Sequence, residues 1–315
     1  MMTLTKSKSA DQDVGAQEPV TAGALATALA MLWRDKFATL AALILIATVV
    51  AALIGPALLH DAATGMNLRA RNAPPFELER GLAFILGGDS LGRGILPRII
   101  VAAQNTMMIA ASAVLLSLVV GTALGLVAGY RAGVVGDLIM RLTDILMSFP
   151  SLLLAMVVLY VFAPSIANVI FVLALTRIPI YLRTTRAEVL EVRTRMFVTA
   201  ALVAGAGPMR IILRHILPII APTLITIATL DFAFVMLAEA SLSFLGLGVQ
   251  APEVTWGVMV AEGRNYLSTA WWLAFWPGLA IALVTMSLNL LSNWLRVATD
   301  PVQRWRLEPR KPGNV

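Results

Sequence analysis

The sequence predicts an all-α polytopic membrane protein with about six transmembrane helices and both termini inside. Three observations carry this reading. Of the 315 residues, 59% are hydrophobic and 13% are charged, against about 25% charged in ordinary soluble domains. Uncharged or nearly uncharged runs long enough to cross a bilayer core, about 20 helical residues for ~30 Å, recur along the chain. Lys and Arg collect in alternate loops, as cytoplasmic loops require.

The elements follow the chain. Residues 1–36 form an inside segment: a polar tail, then a short interfacial helix over 21–36 with Trp33, Arg34 and Lys36 at headgroup level. Residues 37–59 carry no charge and make the first span. It starts too deep and runs too long for a cleaved signal peptide, so it is expected to be retained. The loop 60–98 lies outside and carries Pro74-Pro75 and the stretch GGDSLGRG. The core, 99–298, then opens with an uncharged run over 99–130. The stretch 138–182 is divided at Pro164, because proline removes a backbone donor and disfavours helix at the residue before it. This gives spans near 138–162 and 167–186. An inside segment, 187–216, is followed by a span over 218–246. An outside segment, 247–271, precedes the last span at 272–296 and an inside tail, 299–315. Trp271, Trp272 and Trp276 mark the outer start of that last span as an aromatic belt would. With the N-terminus inside, 18 of the 24 Lys and Arg fall inside, and Arg69, Arg71, Arg80, Arg93, Arg98 and Arg264 fall outside.

Several chemistries are excluded or weakened. There is no cysteine, hence no disulfide, iron–sulfur cluster or thiol nucleophile. His60 and His215 are the only histidines, which leaves little for an imidazole metal site. The net charge of +6 follows from inside-facing basic residues, so no nucleic-acid partner is expected. No G-x-x-x-x-G-K-[ST] loop is present, so this chain is not expected to be an ATPase and ATP-driven work needs a partner. Gly88-Asp89-Ser90-Leu91-Gly92 is a literal G-x-S-x-G. A nucleophile elbow requires a strand before the serine, a helix after it and a base within reach. The chain has no alternating strand–helix pattern, and His215 falls on the opposite side. Only His60 keeps an intramembrane Ser90 hydrolase open, against a plain glycine-shaped turn.

Two acidic residues lie inside the fifth span. Asp231 and Glu239 are eight apart, on roughly one helical face and about 12 Å from each other. Such groups line a polar path or pair with another span; Arg177 is the candidate partner for Asp231. They would also serve a proton-coupled secondary transporter as a relay. Gln104 and Asn105 in the second span are weaker path candidates and suit helix–helix hydrogen bonds.

The inside loop is the most informative part. Residues 184–195 read as a charged helix with Glu191 and Arg195 paired. Then Val198-Thr199-Ala200-Ala201-Leu202-Val203-Ala204-Gly205-Ala206-Gly207-Pro208 is a short run of small and apolar residues closed by two glycines and a proline. An apolar helix facing water marks a protein interface.

That pattern, T-A-A-x-x-x-G followed by H-I-L-P, resembles the coupling loop of ATP-binding-cassette importer permeases, usually E-A-A-x-x-x-G. The segments MRLTDILMSFPSLLLA, RIILRHILP, LAEASLSFLGLGVQ, W-G-x-M-x-A-E-G-R and A-W-W-L-A-x-x-P-G-L-A-I resemble the dipeptide/oligopeptide/nickel group, in its second-permease type. The GGDSLGRG stretch resembles the group's G-T-D-x-L-G-R-D-x-L-S-R. Thr199 stands for the usual Glu, with a hydroxyl suited to capping the short helix. Ile219 stands for Asn, and Gly88, Gly94 and Pro97 depart from Thr, Asp and Ser. The resemblance implies a MetI-like type I importer permease fold in a bacterial cytoplasmic membrane. It implies a homologous permease partner, two cytoplasmic ATP-binding subunits and an extracytoplasmic substrate-binding protein, with ATP and Mg held by the partners and no cofactor in this chain. It assigns coupling to Thr199, Ala200, Ala201, Leu202, Val203, Gly205, Arg210 and His215, and the binding-protein side to Asp89, Gly92, Arg93 and Trp256. Peptides are the expected cargo, with nickel chelates or another small solute as the alternative.

Overall fold

A computed structural model describes residues 30–131, 133–163 and 165–299. The tails and Pro164, the expected break, lie outside the described residues. Nine helices follow residues 30–34: α1 Lys36–Thr64, α2 Ile95–Tyr130, α3 Val134–Met147, α4 Ser151–Val161, α5 Ile166–Val192, α6 Met196–Val203, α7 Pro208–Phe244, α8 Trp256–Gly263 and α9 Trp272–Thr299. Asp35 caps α1 by accepting from the backbone N–H groups of Phe37 and Ala38, both at 3.1 Å. Helices α1, α2, α5, α7 and α9 are long and apolar enough to cross a membrane.

The expected span at 138–162 is two helices, α3 and α4, bent by 87°. The break falls at Ser148-Phe149-Pro150. Pro150 has no N–H to donate, and its ring disfavours helix at Phe149. Whether the pair crosses the membrane is decided by its neighbours. Gly121 faces Tyr181, Gly125 faces Thr185 and Gly129 faces Val189. Each partner is sixty residues on, and both series rise together, so α2 and α5 run parallel. The start of α5, at Ser165 and Ile166, shares a cleft with Glu253, which accepts from Asn105 near the start of α2. The chain must therefore return between Tyr130 and Ser165, and α3–α4 makes that return as a broken span. Counting the bent pair as one pass, the described residues hold up to six passes.

The α2–α5 contact is close because glycine permits it. A Cβ on Gly121 would stand 2.6 Å from Cβ of Tyr181, and one on Gly125 2.6 Å from Cβ of Thr185. Three glycines spaced by four put a backbone stripe against α5, the small-residue packing that membrane helices use. The Arg193 Nη1 donates to the Gly129 carbonyl at 3.0 Å and ties the ends together.

Three further boundaries differ from expectation. The fourth span and the charged helix at 184–195 are one rod, α5, because the capping break comes only at Arg193–Arg195. The fifth span starts at Pro208, ten residues early, and contains a π-helical turn at Ile212–Ile216 just before Pro218. The segment 247–271 holds α8, which no pattern announced. The main core joins α2, α5, α7, α8 and α9, and a second cluster around Tyr181, Val189, Val198, Ile211 and Ile220 fills the end near α6.

Candidate functional site

Three places in the bundle carry the residues singled out above. The first is α6. Only Val198 of this helix is buried, at 1% exposure, while Met196 is 88% and Val203 86% exposed. Phe197, Leu202, Met209 and Leu213 extend the same apolar surface. Its C-terminus closes with the Gly205 N–H on the Leu202 carbonyl (2.9 Å) and the Ala206 N–H on the Ala201 carbonyl (3.0 Å). That is a Schellman cap, which needs a left-handed residue just past the helix; Gly205 supplies it at φ +81°. Thr199 does not cap the helix. The N-cap is Arg195, without a side-chain bond, and Thr199 sits in the second turn. Ala200 is exposed, Ala201 half-buried and Arg210 exposed. His215 lies apart from them in the π-helical turn, its Nδ1 buried.

The second place is the turn at Asp89, at the opposite end of the bundle. Asp89 is buried at 2% exposure. Its Oδ1 accepts from the N–H groups of Leu91 and Arg93, both at 2.8 Å. Its Oδ2 accepts from Arg93 Nε at 2.6 Å and from Arg98 Nη1 at 2.8 Å. Arg98, itself 4% exposed, also reaches Glu262 at 2.9 Å. A carboxylate with four donors organises backbone. Gly88 and Gly94 bridge beneath it, and Trp272 Nε1 donates to the Gly88 carbonyl at 3.2 Å. Ser90 is half-buried beside this knot. Among the described residues, no hydrogen bond joins it to His60. Gly92 is buried too, so of the motif's expected binding-protein residues only Arg93 is part-exposed. Trp256 is a correction: it is 3% exposed and presents no ring to a partner. It pins α8 to α2, through its N–H on Thr106 Oγ1 (3.0 Å) and its indole N–H on the Ile99 carbonyl (2.8 Å).

The third place lies inside the bundle. Asp231 on α7 is buried and paired with Arg177 of α5, whose Nε donates to Oδ1 at 2.6 Å and whose Nη2 lies against the same oxygen. The Arg177 guanidinium also covers the Phe234 ring at 4.1 Å. Arg177, counted among the inside charges by position, is thus a mid-helix residue. Glu239 is 1% exposed. Its Oε1 accepts from Ser243 (2.7 Å) and Thr255 (2.8 Å). Thr255 in turn caps α8 by accepting from the Val258 N–H at 3.2 Å. Glu239 therefore locks α8 onto α7. Gln104 is exposed and Asn105 half-buried; Asn105 Nδ2 donates to Glu253 (2.9 Å) and to the Val254 carbonyl (3.0 Å). Both line one cleft with His60, Arg93 and Glu262. Asp231 and Glu239 face different partners and do not form a relay with one another.

The glycine stripe of α2, Arg98, Thr106 and Thr255 went unmarked in the sequence. The stripe was visible as G-x-x-x-G-x-x-x-G. Thr106 had no such signal, because its partner Trp256 is 150 residues away, and the link from Thr255 to Glu239 runs between two helices.

A family model described as "Binding-protein-dependent transport system inner membrane component" matches residues 121–305. The di/tripeptide transport system permease protein of Pseudomonas aeruginosa is 44% identical over 229 residues, 72% of this chain and 76% of that protein. The dipeptide transport system permease protein of Haemophilus influenzae is 40% identical over 239 residues, 76% and 81% of the two chains. The nickel transport system permease protein of Escherichia coli is 38% identical over 216 residues, 69% and 78%.

Proposed function

The chain belongs to the family of binding-protein-dependent transport system inner membrane components, and from this premise we propose that it is the permease subunit of an ATP-driven importer of short peptides. It is a multi-pass protein of the bacterial inner membrane. Peptide cargo is favoured by the relatives that carry that name at 40–44% identity. A nickel chelate is the second reading, favoured by the relative at 38%.

The observation that carries the mechanism is α6, a helix whose exposed apolar side needs a cover. In our reading both termini and α6 face the cytoplasm, and α6 seats in an ATP-binding partner. Two such subunits bind and hydrolyse ATP with Mg. A homologous permease completes the pathway, and a substrate-binding protein delivers cargo to the Asp89 end. Closure of the ATPase pair pushes α6. The push enters α5 and α7, between which α6 is spliced, and reaches the Arg177–Asp231 pair that joins them. The bundle then exchanges outward-open for inward-open forms.

The test is co-purification followed by reconstitution. Tagged chain drawn from its own membrane should bring ATP-binding subunits with it, and vesicles of the complex with the binding protein should take up a dipeptide only with ATP. Uptake driven by a proton gradient without those subunits would overturn the reading in favour of a secondary transporter.

A further inference from the structure

We propose that Arg177 is a cargo-binding residue that takes the C-terminal carboxylate of a peptide in a cleft at the α3–α4 bend; this rests on the peptide-importer reading above. The cleft is lined by Leu146, Phe149, Ser151, Leu154, Thr176 and Arg177, among others. Among the described residues, Arg177 is its only charged wall residue. An apolar hollow with one cation and two hydroxyls matches a small ligand with an apolar side chain and one anionic end.

The guanidinium is placed for a second partner. Nε and Nη2 both address one oxygen of Asp231. Among the described residues, Nη1 makes no hydrogen bond. The Arg177 side chain keeps 17% exposure while that of Asp231 keeps 1%. The pair is therefore asymmetric: the anion is sealed and the cation has an open edge. Arg177 lies eleven residues into α5, about 17 Å from its start. A part-exposed cation at that depth faces a polar path or a partner chain, because facing hydrocarbon is costly. Phe234 backs the planar group at 4.1 Å and fixes its tilt. Ser151, the first residue of α4, also stands in the wall. The positive end of that helix thus lies beside the same cleft and favours an anion there.

The binding step is an exchange without net chemistry. Asp231 keeps the guanidinium charged and oriented, and the free edge offers N–H donors to a carboxylate arriving without its water.

The experiment uses the complete importer in proteoliposomes with saturating binding protein. Two cargoes are compared, dialanine and dialanine amide, each normalised to its occupancy of the binding protein. Wild type should carry the free acid at least about tenfold faster than the amide, the size of effect a charge-assisted hydrogen bond gives. The double variant R177Q/D231N leaves no lone charge buried, so the bundle keeps its shape. It should lose that preference, with free acid falling to the level of the amide. R177K should retain part of the preference. A wild-type importer without preference between acid and amide would overturn the proposal. So would a double variant that keeps the preference, or restored preference in the swap R177D/D231R, which would make the pair structural only. Absence of wild-type uptake of both cargoes would instead overturn the peptide-importer reading on which the site stands.

Discussion

Single residues divide into those that shape backbone and those that meet other molecules. Gly205 is of the first kind. A Cβ there meets no atom within 4 Å, yet φ is +81°. Any substitution is penalised by conformation, about 1–2 kcal/mol, and not by space. Gly205→Val is expected to insert into the membrane normally, to loosen the end of α6 and to abolish uptake; wild-type uptake with normal ATPase assembly would remove α6 from the coupling role. Asp89 is also a backbone shaper. Asp89→Ala leaves buried Arg98 with Glu262 alone and should cost about 3 kcal/mol, read as a lowered melting midpoint in detergent by tryptophan fluorescence. Ser90→Ala should change neither the midpoint nor uptake. The sequence disclosed these roles unevenly. Asp231 was recognisable as an intramembrane charge needing a partner, and Arg177, carried by the fourth apolar run, was the candidate. Thr199 was misread as a cap, since the cap position depends on where α6 starts, and nothing local fixes that to one residue. Trp256 was placed on the binding-protein side by the resemblance alone, and only its distant acceptor, the Ile99 carbonyl, reveals that it is a pin.

At the scale of helices, apolar run length located the passes, the bent one near 138–162 included, because the bilayer sets that length whatever the neighbours are. It failed where a run is interrupted without a charge. Pro150 breaks the third pass, and its effect was hidden by apolar residues on both sides. It also failed at α5, where a span continues into water as the same helix; hydropathy changes there but backbone does not. Helix α8 is short, and what holds it is Glu239, Thr106 and the Ile99 carbonyl, none of them near it in sequence. Contact between α2 and α5 gives the sharpest prediction at this scale. Gly125→Leu places carbon where the Thr185 Cβ is 2.6 Å away. Overpacking of this kind costs about 1–3 kcal/mol. The variant should insert and melt earlier, and the importer proposed above, assembled with it, should hydrolyse ATP without uptake, since the proposed route from α6 through α5 would lose its support. Gly125→Ala should fall between the two.

Orientation belongs to the whole molecule. The absence of cysteine makes it directly measurable with single reporters. Leu82→Cys and Val203→Cys replace residues 74% and 86% exposed at opposite ends of the bundle. In intact cells stripped of the outer membrane, an impermeant maleimide should label position 82 and spare position 203, and disruption of the membrane should open position 203. Labelling in the reverse order would invert the topology and move α6 away from any cytoplasmic ATPase.

The sixty-residue offset between α2 and α5 bears on how the protein is made. Helix α2 leaves the ribosome with Gly121, Gly125 and Gly129 unmatched. Their partners Tyr181, Thr185 and Val189 are synthesised about 3–12 s later, at 5–20 residues per second. During that interval α3 and α4 must cross in the other direction, and α2 must be prevented from pairing with any other helix in the bilayer. Biogenesis of this chain is therefore expected to depend on a translocon or insertase that holds α2 through a full round trip of the nascent chain. A chain arrested between residues 130 and 180 holds the three glycines of α2 without their partners on α5.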